Sequence, residues 1–290
     1  MKTKEKFTAI LAAAMLFAAI LLPCAAAALP QQAFAAEEQR YCDDEVYYGE
    51  GESYNDDQYV YYDSYTIREN NALISAPTYT GLALEQSNIC APVAGQNVVV
   101  YYDPYFPNLL PDFEPGMEVN GYFRYYPDLR WAQTDEALWE LYDLMKTNQG
   151  APGTANSDFK NGLVDYFENH GYDMSYTGFY SSQTNVNLSV LNTALNQDKV
   201  ALILCSQYNF VYSINHLDDG GTDYIVKRNS NVGHIMMVYG YQIIDYYKDG
   251  SLFQSDTYLY VSSGYSTGLQ GYIKLNDYLK INEALIVNVS

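Results

Sequence analysis

Residues Gln86 to Asp103 read QSNICAPVAGQNVVVYYD, and this stretch decides the fold. From Cys90 to about Tyr102 it is helical in character. Proline is tolerated only in the first helical turn, so Pro92 pins the helix start close to Cys90. Ser87 or Asn88 stands where a cap is expected, and Asp103 with Pro104 ends the run. A thiol at a helix start meets unpaired backbone N–H groups and the positive end of the helix dipole. Both favour the thiolate, which is the nucleophilic form. Cys90 is therefore the candidate nucleophile.

Downstream, a Pro-rich loop runs to about Asp128 and two helical patterns follow, TDEALWELYDLMKTN and SDFKNGLVDYFENHGY. Leu138, Leu141, Tyr142 and Met145 share a face of the first; Phe159, Leu163, Tyr166 and Phe167 share a face of the second, with Gly171 as its cap. A shorter helix is expected over Val190 to Leu195. The period then changes to strand-like runs, VALILCS, FVYSI, HIMMVYGYQII, TYLYVSS and GYIKL, with turn signals DDGG and KDG between several of them. Upstream, NALISAPTYT from Asn71 reads as a strand broken by Pro77. Helices first and a largely antiparallel sheet afterwards describe an α+β domain over residues 71–290.

The chain has 290 residues and a formal net charge of −20, which repels phosphate backbones and anionic lipid and so excludes nucleic-acid and electrostatic membrane partners. Lys2, Lys4 and Lys6 precede an apolar run from Phe7 to Leu22, and Ala33, Phe34, Ala35 form a small-residue cleavage motif. Residues 1–35 therefore read as an export signal, too short for stable membrane insertion, and the mature protein is expected to be secreted. Lipid anchoring at Cys24 is the weaker alternative because Pro23 precedes it. Residues 36–70 form an acidic, Tyr-rich stretch with few aliphatic side chains, expected as a solvated arm or pro-segment.

Export leaves Cys42, Cys90 and Cys205. An odd thiol count in an oxidising compartment means one is buried or reactive. Cys42 and Cys205 could pair. Of the chain's three histidines, His170 follows a helix in a stop signal and His216 lies beside a turn. His234 instead opens a strand that is apolar or aromatic on both faces. It is either a core histidine or a catalytic base, and its distance along the chain from Cys90 falls in the ~130 to 150 residues expected between a helix-borne Cys nucleophile and its strand-borne His. The run from Leu217 to Asp223, LDDGGTD, lacks the terminal Glu of a calcium loop and reads as a hairpin turn.

Gln86, Cys90, Ala91 and Pro92, followed by His234 running through an apolar strand to Gly240 and Tyr241, resemble the active-site segments of papain-like cysteine peptidases, in particular the bacterial secreted group similar to the bacteriocin-leader-processing peptidases. YLYVSSGYSTGLQGYIKL follows the outline of the family's later strands. The resemblance spans roughly Asn71 to Val289. It implies that Cys90 attacks a scissile carbonyl, that His234 moves the proton, that Gln86 holds the oxyanion and that Ser262 orients His234, with no cofactor or metal and a peptide or protein substrate. Ser262 stands where the family has Asn or Asp, and Ala91 replaces the usual Gly. That keeps a second class open, an exported, inactive peptidase-like domain that binds protein or glycan through its Tyr-rich surface.

Overall fold

The computed structural model describes residues 59–290 apart from 82, 85, 218–222, 231–232 and 265–269. The export signal, Cys24, Cys42 and most of the acidic arm lie outside these residues, as do Asp218 and Asp219 of the expected turn.

Helix α1, Cys90–Tyr102, is buried on all sides from Ala91 onward. A helix without a polar stripe can form only inside a core, and its two interior amides are both used. The Asn97 amide accepts from the Tyr79 N–H at 2.8 Å and donates to the Tyr79 carbonyl at 3.0 Å, so the strand-like segment before the helix is fastened to it. Gln96 donates to the Thr134 carbonyl at 2.9 Å, which fastens helix α2, Ala132–Leu144. Leu138, Leu141 and Met145 are fully buried as their spacing requires. Helix α3, Asn156–Asn169, crosses the end of α2 so closely that a Cβ on Gly162 would stand 2.7 Å from the Met145 backbone nitrogen. His170 caps this helix. Its Nδ1 lies 2.7 Å from the Tyr166 carbonyl and its ring stacks on Tyr166. Helix α4 is Leu188–Leu195.

The strands, in chain order, are β1 Tyr59–Tyr62, β2 Ser64–Ala72, β3 Gly116–Val119, β4 Tyr122–Tyr125, β5 Met174–Gly178, β6 Tyr180–Ser182, β7 Asn185–Val186, β8 Ala201–Leu217, β9 Asp223–Ser230, β10 His234–Lys248, β11 Ser251–Ser262, β12 Gln270–Lys274 and β13 Lys280–Val289. Nine of them form one antiparallel sheet in which β8 is the spine. Ala201–Cys205 of β8 pair with β10, and Phe210 and Val211 pair with β12. Because β11 pairs with both β10 and β12, the path β8–β12–β11–β10 closes on itself. Alternate residues serve different cores, as strand geometry demands. Ile235, Met237, Leu202 and Leu204 join the helix α1 side; Met236, Val238, Ile203 and Cys205 join the opposite cluster, which includes Leu191 and Leu195 of α4. The molecule is thus a mixed α/β structure with a large antiparallel sheet and four helices among the described residues, and none of those helices is long and apolar enough to cross a membrane.

Several expectations change. The arm expected to run through residue 70 ends earlier, since β1 pairs with β9 and β2 with β10. Sheet partners supply the hydrogen bonds that a Tyr-rich acidic segment cannot make by itself. The strand expected over Asn71–Tyr79 stops at Ala72. VALILCS and FVYSI are two parts of the single strand β8. The expected turn at DDGG is flanked by a β8–β9 hairpin in which Leu217 faces Asp223.

Candidate functional site

The start of α1 departs from the expected cap. Ile89 occupies the capping position and no side chain caps the helix. Asn88 is held at φ 60 and its Nδ2 donates to the Ser87 hydroxyl at 3.4 Å, and neither side chain makes a cap hydrogen bond to the helix. Pro92, third in the helix, has no N–H for a cap to take. The backbone N–H groups of Cys90 and Ala91, and that of Ile235 from the sheet, lie near enough to the Cys90 sulfur to favour its thiolate. Cys90 thereby sits where the start of α1 abuts the first residues of β10, one position from His234.

The local field differs from the sequence expectation. Burial pushes the Cys90 thiol above its ordinary value, outweighing the three backbone N–H groups that favour the thiolate. Burial also pushes His234 down to about 4, against a hydrogen bond to the Ser263 carbonyl that favours the charged ring. The resting pair is therefore uncharged near neutral pH. A carbonyl oxygen can only accept, so Nε2, 2.8 Å from the Ser263 oxygen, carries the proton of the neutral ring and Nδ1 is its basic nitrogen. The ring also stacks on Tyr208, centroids 5.9 Å apart. Register sets His234 opposite Cys205, on the face away from α1, whereas the next residue, Ile235, lies on the α1 side.

Ser262 does not take the orienting position expected of it. It pairs with Met237, three residues along β10 and on the helix side, and its hydroxyl donates to the Pro77 carbonyl at 2.5 Å. The following residue reaches the imidazole, through its main chain. Gln86 lies four residues ahead of Cys90 and lines an open groove of about 650 Å³ with Ser87, Asn88, Asn148 and the loop Gly150–Pro152. Its amide oxygen accepts from the Tyr142 hydroxyl at 2.6 Å.

Two contributors could not be found by residue type. The Ser263 carbonyl is a backbone group, which any residue at that position would supply equally, and Tyr208 stands in the polar interval that divided β8 into two apparent strands. Tyr142 was visible as part of the buried stripe of α2, but its hydroxyl partner was not. Cys205 is buried in β8 with its thiol pushed up by burial, and neither it nor Cys90 is in a disulfide among the described residues.

No family model matches this chain and no curated protein matches it. Among solved structures, the Pseudomonas avirulence protein AvrPphB is similar with a TM-score of 0.28 and 11% identity, over 71% of this chain and 93% of that chain. A likeness of that size carries no weight in assigning fold or function.

Proposed function

We propose that this chain is a secreted cysteine peptidase of papain-like architecture, acting through Cys90 and His234 on a peptide or protein substrate. The observation that carries the reading is the meeting of helix start and strand start, with the Ile235 N–H on the Cys90 sulfur. His234 Nδ1 takes the thiol proton as the sulfur attacks the scissile carbonyl. The Cys90 N–H and the Gln86 amide hold the oxyanion, and the imidazolium returns its proton to the leaving amine. Water, deprotonated by the same nitrogen, then hydrolyses the thioester and releases the acid. The Ser263 carbonyl keeps the ring in the required tautomer, the task that sequence alone assigned to Ser262. Export rests on residues 1–35 alone.

The uncharged resting pair favours a second reading, a non-catalytic binding domain on the same fold. Labelling separates the two. The mature protein treated with an epoxide thiol-protease inhibitor near pH 6.5 should carry the adduct on Cys90 by mass spectrometry, with buried Cys205 unmodified. His234→Ala should slow that labelling on the order of 100-fold or more, within the range general base catalysis contributes. An unlabelled Cys90, or a rate indifferent to the histidine, would leave the binding domain.

A further inference from the structure

The hydrogen bonds around Gln86 have a direction, and two main-chain groups fix it at Asn148, where the chain they form begins. The Gly153 N–H can only donate, and it meets the Asn148 side-chain oxygen at 2.7 Å. Asn148 Nδ2 is therefore the nitrogen that faces the Ser87 carbonyl at 3.1 Å and the Tyr142 oxygen at 3.3 Å. A carbonyl can only accept, so the Ser87 contact requires the same assignment. With its oxygen receiving from Asn148, the Tyr142 hydroxyl has one proton to give, and it gives it to Gln86 Oε1 at 2.6 Å. Oε1 is thus held against α2, and Nε2 with its two protons is turned away from Tyr142, in the groove that Gln86, Ser87 and Asn88 share with Asn148. The Tyr142 ring is meanwhile seated against the small cluster of Leu84, Val93 and Leu138, beside Ile89. The lead-in to Cys90 is held by one residue through both its apolar and its polar ends.

We propose that Tyr142 and Asn148 are positioning residues that present the Gln86 amide N–H to the carbonyl oxygen of an acyl group bound at Cys90. This inference rests on the peptidase reading, and it adds a relay, Gly153 N–H to Asn148 to Tyr142 to Gln86, that sets the polarity of the oxyanion site. An oxyanion donor is effective only where its orientation is fixed before the charge develops, because reorienting it during the reaction would consume the stabilisation it offers. A lone glutamine on an exposed segment rotates freely; the relay removes the two-fold ambiguity of its amide.

Two thiol reagents divide the question. A peptide aldehyde forms a hemithioacetal whose oxygen occupies the oxyanion site, whereas iodoacetamide alkylates the sulfur without forming an oxyanion. Gln86→Ala should weaken aldehyde binding roughly 100-fold, the scale for losing one oxyanion donor. Tyr142→Phe keeps the ring in its cluster and should weaken it at least tenfold, with the iodoacetamide rate unchanged within about twofold. The double variant should be no weaker than Gln86→Ala alone, because both changes remove one interaction. Aldehyde affinity untouched by Tyr142→Phe, additive losses in the double variant, or parallel loss of aldehyde binding and alkylation in Tyr142→Phe would each overturn the relay. A wild-type Cys90 that alkylates readily but ignores aldehydes would overturn the relay and spare the nucleophile. A Cys90 inert to both reagents would overturn the peptidase reading and the relay with it.

Discussion

Cys90 opens α1 and Asp103 caps its far end, and the two respond oppositely to the helix yet alike to their surroundings. At the C-terminal end Asp103 accepts from the Leu110 N–H at 2.9 Å, and burial pushes its carboxyl up to about 7. Burial and the negative end of the dipole act in the same direction there. At the N-terminal end they are opposed, and the Cys90 thiol still rises. A helix terminus contributes about 0.3–1 kcal/mol, at most ~2 when partly buried. Complete burial can disfavour the charged form of a side chain by ~4 to 7 kcal/mol, and the half-buried Cys90 feels part of that cost. A helix start therefore supplies a well-aimed set of donors to Cys90 without ionising it, and the proton must leave when substrate arrives.

The largest effect expected of that difference lies in the pH profile of Cys90. If burial governs the thiol, the iodoacetamide rate should climb close to tenfold for each step of one in pH from 6 to 8, about 100-fold in all, since only the thiolate reacts. A rate already level below pH 6 would show that the dipole and His234 hold a thiolate–imidazolium pair, and the comparison of the two helix ends would collapse.

Next in size is the cost of protonating His234. An imidazole that titrates at about 4 in the folded protein and near 6.5 when unfolded leaves more protons on the unfolded chain between those values. Its contribution to stability is complete above about 6.5 and is lost as pH falls toward 4, a change of roughly 3 kcal/mol. Urea denaturation should therefore show the stability advantage of wild type over His234→Ala shrinking by that amount between pH 7 and pH 4. A constant difference would mean the ring is solvated.

The effect at Asp103 is of similar size and has the opposite sign. A carboxyl raised from 3.8 to about 7 binds more protons folded than unfolded, so its contribution is present at low pH and is lost as pH rises through 7. Asp103→Asn keeps an oxygen for the Leu110 N–H and carries no charge. It should be more stable than wild type at pH 9, by on the order of 4 kcal/mol, the free energy of a thousandfold change in proton affinity, and show no advantage below pH 4. An equal gain at both pH values would trace the effect to packing rather than to charge.

These contrasts also mark what the amino-acid order could reveal. The limits of α1 were legible because Pro92 and Pro104 permit few alternatives, and the helices of Leu138 and Phe159 because an apolar stripe has one period. Strand continuity was not. Gln207 and Asn209 interrupt the apolar pattern of β8, yet both lie within one strand because β13, β12, β10 and β9 share its two edges. The Tyr-rich residues from Tyr59 onward form strands through partners more than 150 positions away. At the site, Cys90 and His234 were visible as side chains with chemistry, while Ser263 acts through its carbonyl, which carries no residue signature. Ser262 points its side chain to the α1 side, and the group that meets His234 is the main-chain carbonyl just past the end of β11.

The outer strand β2 bears on how the protein is handled at the bench. A recombinant fragment begun at Asn71, where regular structure was expected to start, would lose β1 and nearly all of β2 and leave the outward edges of β9 and of the His234 strand unpaired. Bare edges of that length recruit other chains. Fragments begun upstream of Tyr59 should stay dispersed at concentrations where the shorter one precipitates.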